Sequence, residues 1–473
     1  MSPEPVIESF IKNFVQELHN GSAAIFAGAG LSKGCGFVDW PELLRDIGKE
    51  LELNVDKEHD LISLAQFHVN TKRTSDGLAK KILQEFSEQA EPSENHAIIA
   101  RLAIHSYWTT NYDSLIEDAL RAAYRVPDVK YAVDQLSFSK PKRDAIVYKM
   151  HGDVLMPRQA VIYKQQYERY YDTHAPFITA LSGDLVSKTF LFIGFSFTDP
   201  NLDYVLSRLH GGSDKRAHYC FMREAERLRD DDDEHFQYKQ RKQELRIEDL
   251  KRFGIQTLLV DDYSDITDIL RRIEAHYRKK TIFFSGSAEE CGAWSRQDSM
   301  DFVHNVAANC IVSNCRVVNG FGWGIGGAVI NGALDAIYRQ PEKFSEAQLI
   351  VRPFPQVGNN LPALWEQYRQ RMISLAGVAL FFFGNKLDGE NLVNAIGVRR
   401  EFEIAIEHGL LPIPIASTGF MAEELWDEIS TDIGKYYKDF EWIIPMVEKL
   451  ADPNTPRKEM VNIITGIIKD LNK

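Results

Sequence analysis

The chain is predicted to be an α/β protein made of two Rossmann-like domains, each a mostly parallel sheet flanked by helices. Three observations lead there. Short apolar runs alternate with longer segments of helical periodicity, as in parallel strands joined by crossover helices. The alternation restarts after the polar Arg278-Lys279-Lys280, which divides the chain into 1–280 and 281–473. Glycine-bearing turns close early strands in both halves, the position at which open parallel sheets bind ligands.

In chain order, Val6, Ile7, Phe10, Ile11, Phe14 and Leu18 recur at helical spacing, so residues 4–19 form an amphipathic lead-in helix that either caps the core or seats a subunit contact. Strands follow at 23–27, 105–109, 145–150, 190–195, 217–222 and 255–260, with helices at 41–51, 114–124, 165–188, 235–252 and 264–278. The acidic run Asp230–Glu234 reads as a solvated loop. The second half places strands at 281–285, 315–319, 348–352, 377–383 and 411–415. No fixed-period repeat is present.

Composition limits function. At 473 residues with 44% hydrophobic content the chain can bury more than one core. Lys+Arg 55 against Asp+Glu 68 leaves a net charge of −13, which argues against a broad nucleic-acid groove but not against one anionic small molecule. The opening MSPEPVIESF lacks the pattern of an export signal, and no apolar run approaches the ~20 residues of a membrane span, so a soluble cytoplasmic protein is expected. Five scattered cysteines without a C-x-x-C pair point to reduced thiols and no structural zinc or other metal.

Three strand-end motifs carry chemistry. AIFAGAGLS at 24–32 brings Ala27, Gly28 and Ser32 to the end of a buried strand, where small residues let backbone approach a diphosphate; alone, such a turn is also a plain strand-to-helix connection. Asp39, three residues before Glu42, reads as a helix N-cap or as a ligand contact. In WTTNYD, Asn111 lies in the turn after a strand, and Ser114 with Glu117 reads as a capping box for the next helix. His151 follows the strand AIVYKM, with Gly152 beside it. An imidazole, ordinarily titrating near neutrality, suits general-base work.

Taken together, these motifs resemble the sirtuin family over residues 20–275: G-A-G-x-S at Gly28–Ser32, T-x-N-x-D at Thr109–Asp113 and H-G at His151–Gly152. FIGFSFTDPNL at Phe192–Leu202 resembles that family's later glycine/serine loop, which assigns Gly194 and Ser196 to the adenosine side, while Thr198 or Asp199 caps a helix before Pro200. The resemblance implies NAD as substrate, held by Ala27, Gly28, Ser32, Asp39, Asn111, Gly194 and Ser196, with Asn111 and His151 catalytic. Sirtuin deacylases carry two C-x-x-C pairs that this chain lacks, so cleavage of NAD by water, giving ADP-ribose and nicotinamide, is expected ahead of protein deacylation or non-catalytic NAD sensing.

In the second half, FFSGS at Phe283–Ser287 and the run Gly320, Gly322, Gly324, Gly326, Gly327 close successive strands, and a closely approaching ligand is the expected reason for so many glycines. Leu364, Tyr368, Arg371 and Leu375 share one helical face, which puts Arg371 in an apolar stripe where its guanidinium needs an anion, either Glu401 or a ligand phosphate. Residues 281–473 resemble the SLOG nucleotide-sensing family. Glu401 remains where that family's hydrolytic relatives keep a glutamate, but their P-G-G-x-G-T loop is absent, which implies binding without cleavage. The resemblance assigns an activator to Ser285, Gly286, Gly320, Phe321, Gly322, Gly324, Arg371, Lys386 and Glu401.

The order of these motifs across the chain is similar to that in effectors of bacterial Thoeris anti-phage systems. That likeness implies an NAD hydrolase, tetrameric and idle, until a cyclic ADP-ribose isomer made by a TIR-domain partner binds the SLOG-type half.

Overall fold

The computed structural model describes residues 4–87, 90–197, 199–208, 216–227 and 232–472. They pack as two units, Met1–Glu274 and Ala275–Lys473. The division falls inside the helix Ser264–Lys279.

The first unit is built on seven strands: β1 (Ala23–Ala27), β2 (Ser106–Thr109), β3 (Pro127–Lys130), β4 (Ala145–Lys149), β5 (Thr189–Ile193), β6 (His218–Arg223) and β7 (Ile255–Val260). They form one sheet in the order β3-β4-β2-β1-β5-β6-β7, every neighbour parallel. The chain winds to one side from β1 and to the other from β5, so the switch point lies between these two strands. β1 and β5 are buried at every position, as expected of strands covered on both faces.

The lead-in helix is Glu4–His19. It buries Ile7, Phe10, Ile11, Phe14 and Leu18, with the Phe10 ring against Tyr219 and Phe221 of β6, and so caps the core of its own unit.

Several expectations need correction. The single helix at 165–188 is three pieces, Lys164–Glu168, Tyr170–Thr173 and Ala175–Ser187, with Pro176 in the first turn of the last, where its missing N–H costs nothing. Of the acidic run, Asp232 caps and Asp233 and Glu234 open the helix Asp233–Arg252, as acidic side chains favour a helix N-terminus; Asp230 and Asp231 lie outside the described residues. β3, short and led by Pro127, gave no alternation to read.

The second unit holds β8 (Thr281–Ser287), β9 (Arg316–Asn319), β10 (Leu349–Val351), β11 (Val378–Phe383), β12 (Asn385–Asp388), β13 (Asn391–Asn394) and β14 (Leu411–Pro414). Five form a parallel sheet, β10-β9-β8-β11-β14, with its switch point between β8 and β11; β12 and β13 make an antiparallel hairpin. The apolar run at 378–383 is wholly buried. Among the described residues no helix is long and apolar enough to cross a membrane, and no cluster of three or more His, Cys, Asp or Glu could hold a metal ion.

Two buried histidines of the first unit accept backbone hydrogen bonds, from Ser93 to His96 Nδ1 and from Phe190 to His218 Nδ1. Burial lowers both to about 4 from the ordinary 6.5. Between those values only the unfolded chain takes up these protons, so stability is full above about 6.5 and falls as pH drops toward 4, by up to ~3 kcal/mol per histidine. Thermal melts from pH 7 to pH 4.5 are expected to fall accordingly, and His218→Gln, a neutral acceptor at any pH, to flatten the fall.

Candidate functional site

The first site grows from strand register. Thr109 of β2 pairs with Ala27 of β1 and with Lys149 of β4, and Ala27 pairs with Ile193 of β5, so four adjacent strands reach their carboxyl ends in one row. Asn111 and His151 each stand two residues beyond that row, Gly28 and Gly194 one.

Asn111 is buried, and its Nδ2 donates to Gly28 O at 3.1 Å and to Ser32 Oγ at 2.9 Å. Both amide hydrogens are thereby committed, so what Asn111 offers a ligand is its carbonyl oxygen, an acceptor suited to a sugar hydroxyl. The Ser32 hydroxyl in turn stands beside Asp113, where burial raises the carboxyl against the opposing pull of Lys149.

Gly28 Cα has no room for a side chain, because a Cβ would lie 2.4 Å from Gly194 O. Gly30 N donates to that same oxygen at 2.9 Å, and Gly194, at φ +64°, would place a Cβ 2.2 Å from Leu31 N. Here the glycines serve the approach of two chain segments at the switch point.

His151 is 1% exposed. Its Nδ1 lies 3.5 Å from the Tyr167 hydroxyl and its Nε2 3.2 Å from Asp199 Oδ2. The two atoms are in contact without the geometry of a hydrogen bond. Burial opposes the charge of Asp199, yet His151 and the Leu202 and Asn201 amides outweigh it and hold the carboxyl below its ordinary range. Asp199 follows β5 and His151 follows β4, three strand spacings or about 14 Å away, so the segment after β5 reaches over the ends of β1 and β2. Burial and Asp199 raise the Tyr112, Tyr167 and Tyr170 phenols, which stay neutral around this imidazole.

Beneath both turns lies Lys149, fully buried. Its Nζ donates to Tyr112 O at 3.0 Å, to Asp113 O at 2.6 Å and to Asp153 Oδ2, with Glu117 Oε1 at 3.2 Å. Burial works against its charge, but Glu117 and Asp153 prevail and raise its pKa.

The structure therefore ties Gly28, Ser32 and Asn111 together, and sets Gly194 against Gly28 and His151 against the segment that Gly194 begins. Ala27 is a buried strand residue and Ser196 is exposed. Asp39 caps the helix Trp40–Glu50 in a capping box with Glu42 and pairs with Lys33, which is its helix-cap reading. The expected capping box of Ser114 and Glu117 is not formed: Ser114 Oγ donates to Asp118 at 2.7 Å, Glu117 turns to Lys149, and Asp113 accepts from Leu115 N at 3.1 Å. Thr198 lies outside the described residues. Sequence reading missed Lys149 and took Asp199 only for a cap; a lysine closing an otherwise apolar strand was the available signal.

In the second unit, Ser285 Oγ donates to Glu401 Oε2 at 2.6 Å, and burial raises Glu401 while Ser285 and Arg369 restrain it. Glu401 falls on the buried side of the helix Ile396–Glu407 as expected. The cation is the correction. Arg371 is exposed, and the guanidinium toward Glu401 is that of Arg369, with Nε 3.7 Å from Oε1 and its plane over the Phe354 ring at 5.1 Å. The buried side of the helix Leu361–Ile373 runs through Met372 and Ile373, with Tyr368 and Leu375 outward, so the apolar stripe was phased wrongly. Arg369 Nε has no hydrogen-bond partner.

The glycine run also has a protein cause: a Cβ on Gly322 or Gly324 would lie 2.0 Å from the carbonyl of Gly286 or Ala288. Phe321 is exposed, as is Lys386 on the β12–β13 hairpin.

A parallel sheet with strand-end Asn and His, followed by a second parallel sheet with a buried Ser–Glu pair, defines a SIR2-like domain joined to a SLOG-type domain. Residues 105–248 match the SIR2-like domain family, and residues 265–471 the Sir2- and TIR-associating SLOG family. Proteins called NAD(+) hydrolase ThsA are similar throughout: 48% identity with that of Bacillus cereus (strain MSX-D12), covering 92% of each chain, and 44% with that of Cytobacillus dafuensis, covering 98% of this chain and 96% of the relative. That of Enterococcus faecium is 41% identical over 97% of this chain and 99% of the relative. The chain belongs to the ThsA family.

Gly194→Ala is expected to cost ~1–3 kcal/mol and to lower the urea midpoint. Gly21→Ala, at a similar φ of +68° with nothing within 4 Å, is expected to cost less.

Proposed function

We propose that the chain is an NAD+ hydrolase that cleaves the nicotinamide glycosidic bond to give nicotinamide and ADP-ribose. The observation that carries this reading is the position of Asn111 and His151 just beyond register-paired strand ends, with the Asn111 amide fixed so that its oxygen is the group on offer. Scission leaves a ribosyl centre with cationic character. Asn111 holds the ribose or the attacking water, and His151 takes a proton from water or a ribose hydroxyl, a role worth ~10²–10⁴-fold. Ala27, Gly28, Ser32, Gly194 and Ser196 line the dinucleotide, with Asp39 at its carboxamide. Full-length similarity to proteins named NAD(+) hydrolase supports the same reading.

The second unit is the sensor in this proposal. Its ligand is a cyclic ADP-ribose isomer supplied by a TIR-domain partner, the enzyme works as a cytoplasmic homotetramer, and loss of NAD is its anti-phage effect. The pocket comprises Ser285, Gly286, Gly320, Phe321, Gly322, Gly324, Lys386 and Glu401, with Arg369 in the part first given to Arg371. An anionic ligand there gains the guanidinium that Glu401 only partly satisfies. Such a ligand activates only by binding the active arrangement more tightly than the idle one, typically by ~1–3 kcal/mol per site.

The test follows nicotinamide release from NAD by the purified full-length chain, with and without a panel of cyclic ADP-ribose isomers. His151→Ala is expected to lose release by at least ~10²-fold while NAD still binds. Unaltered turnover in that variant, or release only with an acylated peptide, overturns the reading. Arg369→Ala is expected to raise the activator concentration required by ~10–100-fold, as for a lost charge-assisted hydrogen bond of ~1.5–3 kcal/mol, and Arg371→Ala to raise it less. The reverse ranking returns the role to Arg371.

A further inference from the structure

The turns that carry Asn111 and His151 are joined from below by one side chain. An ammonium has three N–H donors, and those of Lys149 go to Tyr112 O, Asp113 O and Asp153 Oδ2. The first two acceptors are the main-chain carbonyls immediately after Asn111, and the third belongs to the residue two beyond His151. Asp153 is itself fixed, its Oδ1 accepting from Leu155 N at 2.9 Å.

A buried lysine in a nest of carboxylates is ordinarily explained by charge pairing. The partners chosen here argue for more. Glu117 Oε1, 3.2 Å away and fully enclosed, receives only the charge contact, while two donors are spent on neutral carbonyls. Those carbonyls point inward because the chain turns at the strand end, and buried carbonyls require donors. A donor anchored on β4 meets Asp113 O, adds a second bond at Tyr112 O, and at the same time fixes the β2 turn relative to the β4 turn. Main-chain bonds from Met150 N to Thr109 O and from Val154 N to Tyr112 O run alongside, so the ammonium completes a junction that the sheet begins.

We propose that Lys149 is a positioning residue for NAD cleavage: its ammonium clamps the Asn111 turn to the His151 turn and sets the spacing between the group that holds the ribose or attacking water and the group that accepts the proton. The inference rests on the hydrolase reading above. Misplacing one group by about 1 Å costs ~10²-fold in rate, so this junction governs turnover more than binding, which the glycine-bearing loops dominate.

Two carboxylates touch the same ammonium, and only Asp153 belongs to the clamp. In full-length protein assayed with NAD and the cyclic ADP-ribose isomers, Glu117→Gln is expected to keep kcat within ~3-fold of the parent chain, whereas Asp153→Ala lowers kcat by ~10-fold or more with KM changed by less than ~3-fold. The charge-balanced pair Lys149→Met with Glu117→Gln is expected to lose kcat by ~10²-fold, with melting curves recorded alongside. Equal effects of Glu117→Gln and Asp153→Ala on kcat overturn the proposal, because charge pairing alone then accounts for the lysine. So does recovery of kcat in the double variant to the level of Glu117→Gln. If the parent chain releases no nicotinamide with any isomer, the hydrolase reading itself has failed, an outcome distinct from these.

Discussion

One row of main-chain pairing underlies the first site. Ala27, Thr109, Lys149 and Ile193 are register partners at the ends of four parallel strands, and everything that follows them is placed by where they stop. Parallel strands are joined by long crossovers, so their carboxyl ends share one edge while their loops are free to differ. That freedom lets one loop bring an amide, another an imidazole and a third a carboxylate to the same edge. A slip of one residue in β2 would invert the faces of its side chains and break the pairing of Asn111 with Gly28 and Ser32, and a slip in β4 would displace His151 in the same way.

The charges below that edge are costly and deliberate in arrangement. A buried ammonium deprived of its partners leaves a penalty of ~3–5 kcal/mol, and Lys149 avoids it only because Tyr112, Asp113, Asp153 and Glu117 all face it. Burial raises Asp113 and Glu117, so the cluster holds protons more readily than free carboxylates do. Asp199 is the contrast: nearly as enclosed, it stays below the ordinary range because an imidazole and two amides face it. Enclosure thus works upward on Asp113, Glu117 and Asp199, and local partners decide which of them ends below the ordinary range.

Much of this was legible in the chain. The apolar runs at 23–27 and 378–383 marked strands buried on both faces, and the lead-in helix followed from six apolar positions. Gly28, Asn111 and His151 were legible as strand-end residues because a turn must follow each run. What escaped depends on contacts between distant segments. The purpose of Gly28, Gly322 and Gly324 lies in the backbone that each faces, and the sequence marks only that a side chain is absent. Arg371 and Arg369 differ by two residues on one helix, about 200° of rotation, and a weakly apolar helix could not decide between them. Asp199 bears on His151 only because a loop spans two intervening strands.

The two units meet the same structural problem in the same way. In each, glycine allows backbone to meet backbone across the switch point, Gly28 with Gly194 in one and Gly286 with the Phe382 carbonyl in the other. What lies above the closed floor differs. The first unit presents an amide oxygen and an imidazole with Asp199 held below the ordinary carboxyl range beside it, a setting that favours a centre developing positive charge. The second sets an incompletely paired guanidinium beside a buried glutamate, a setting that favours an incoming anion. Fold alone does not separate these outcomes, since both sheets are parallel and both floors are closed by glycine. The polar groups at each strand edge do separate them: an amide oxygen and an imidazole in the first unit suit the proposed bond cleavage, and a guanidinium in the second suits the proposed ligand capture.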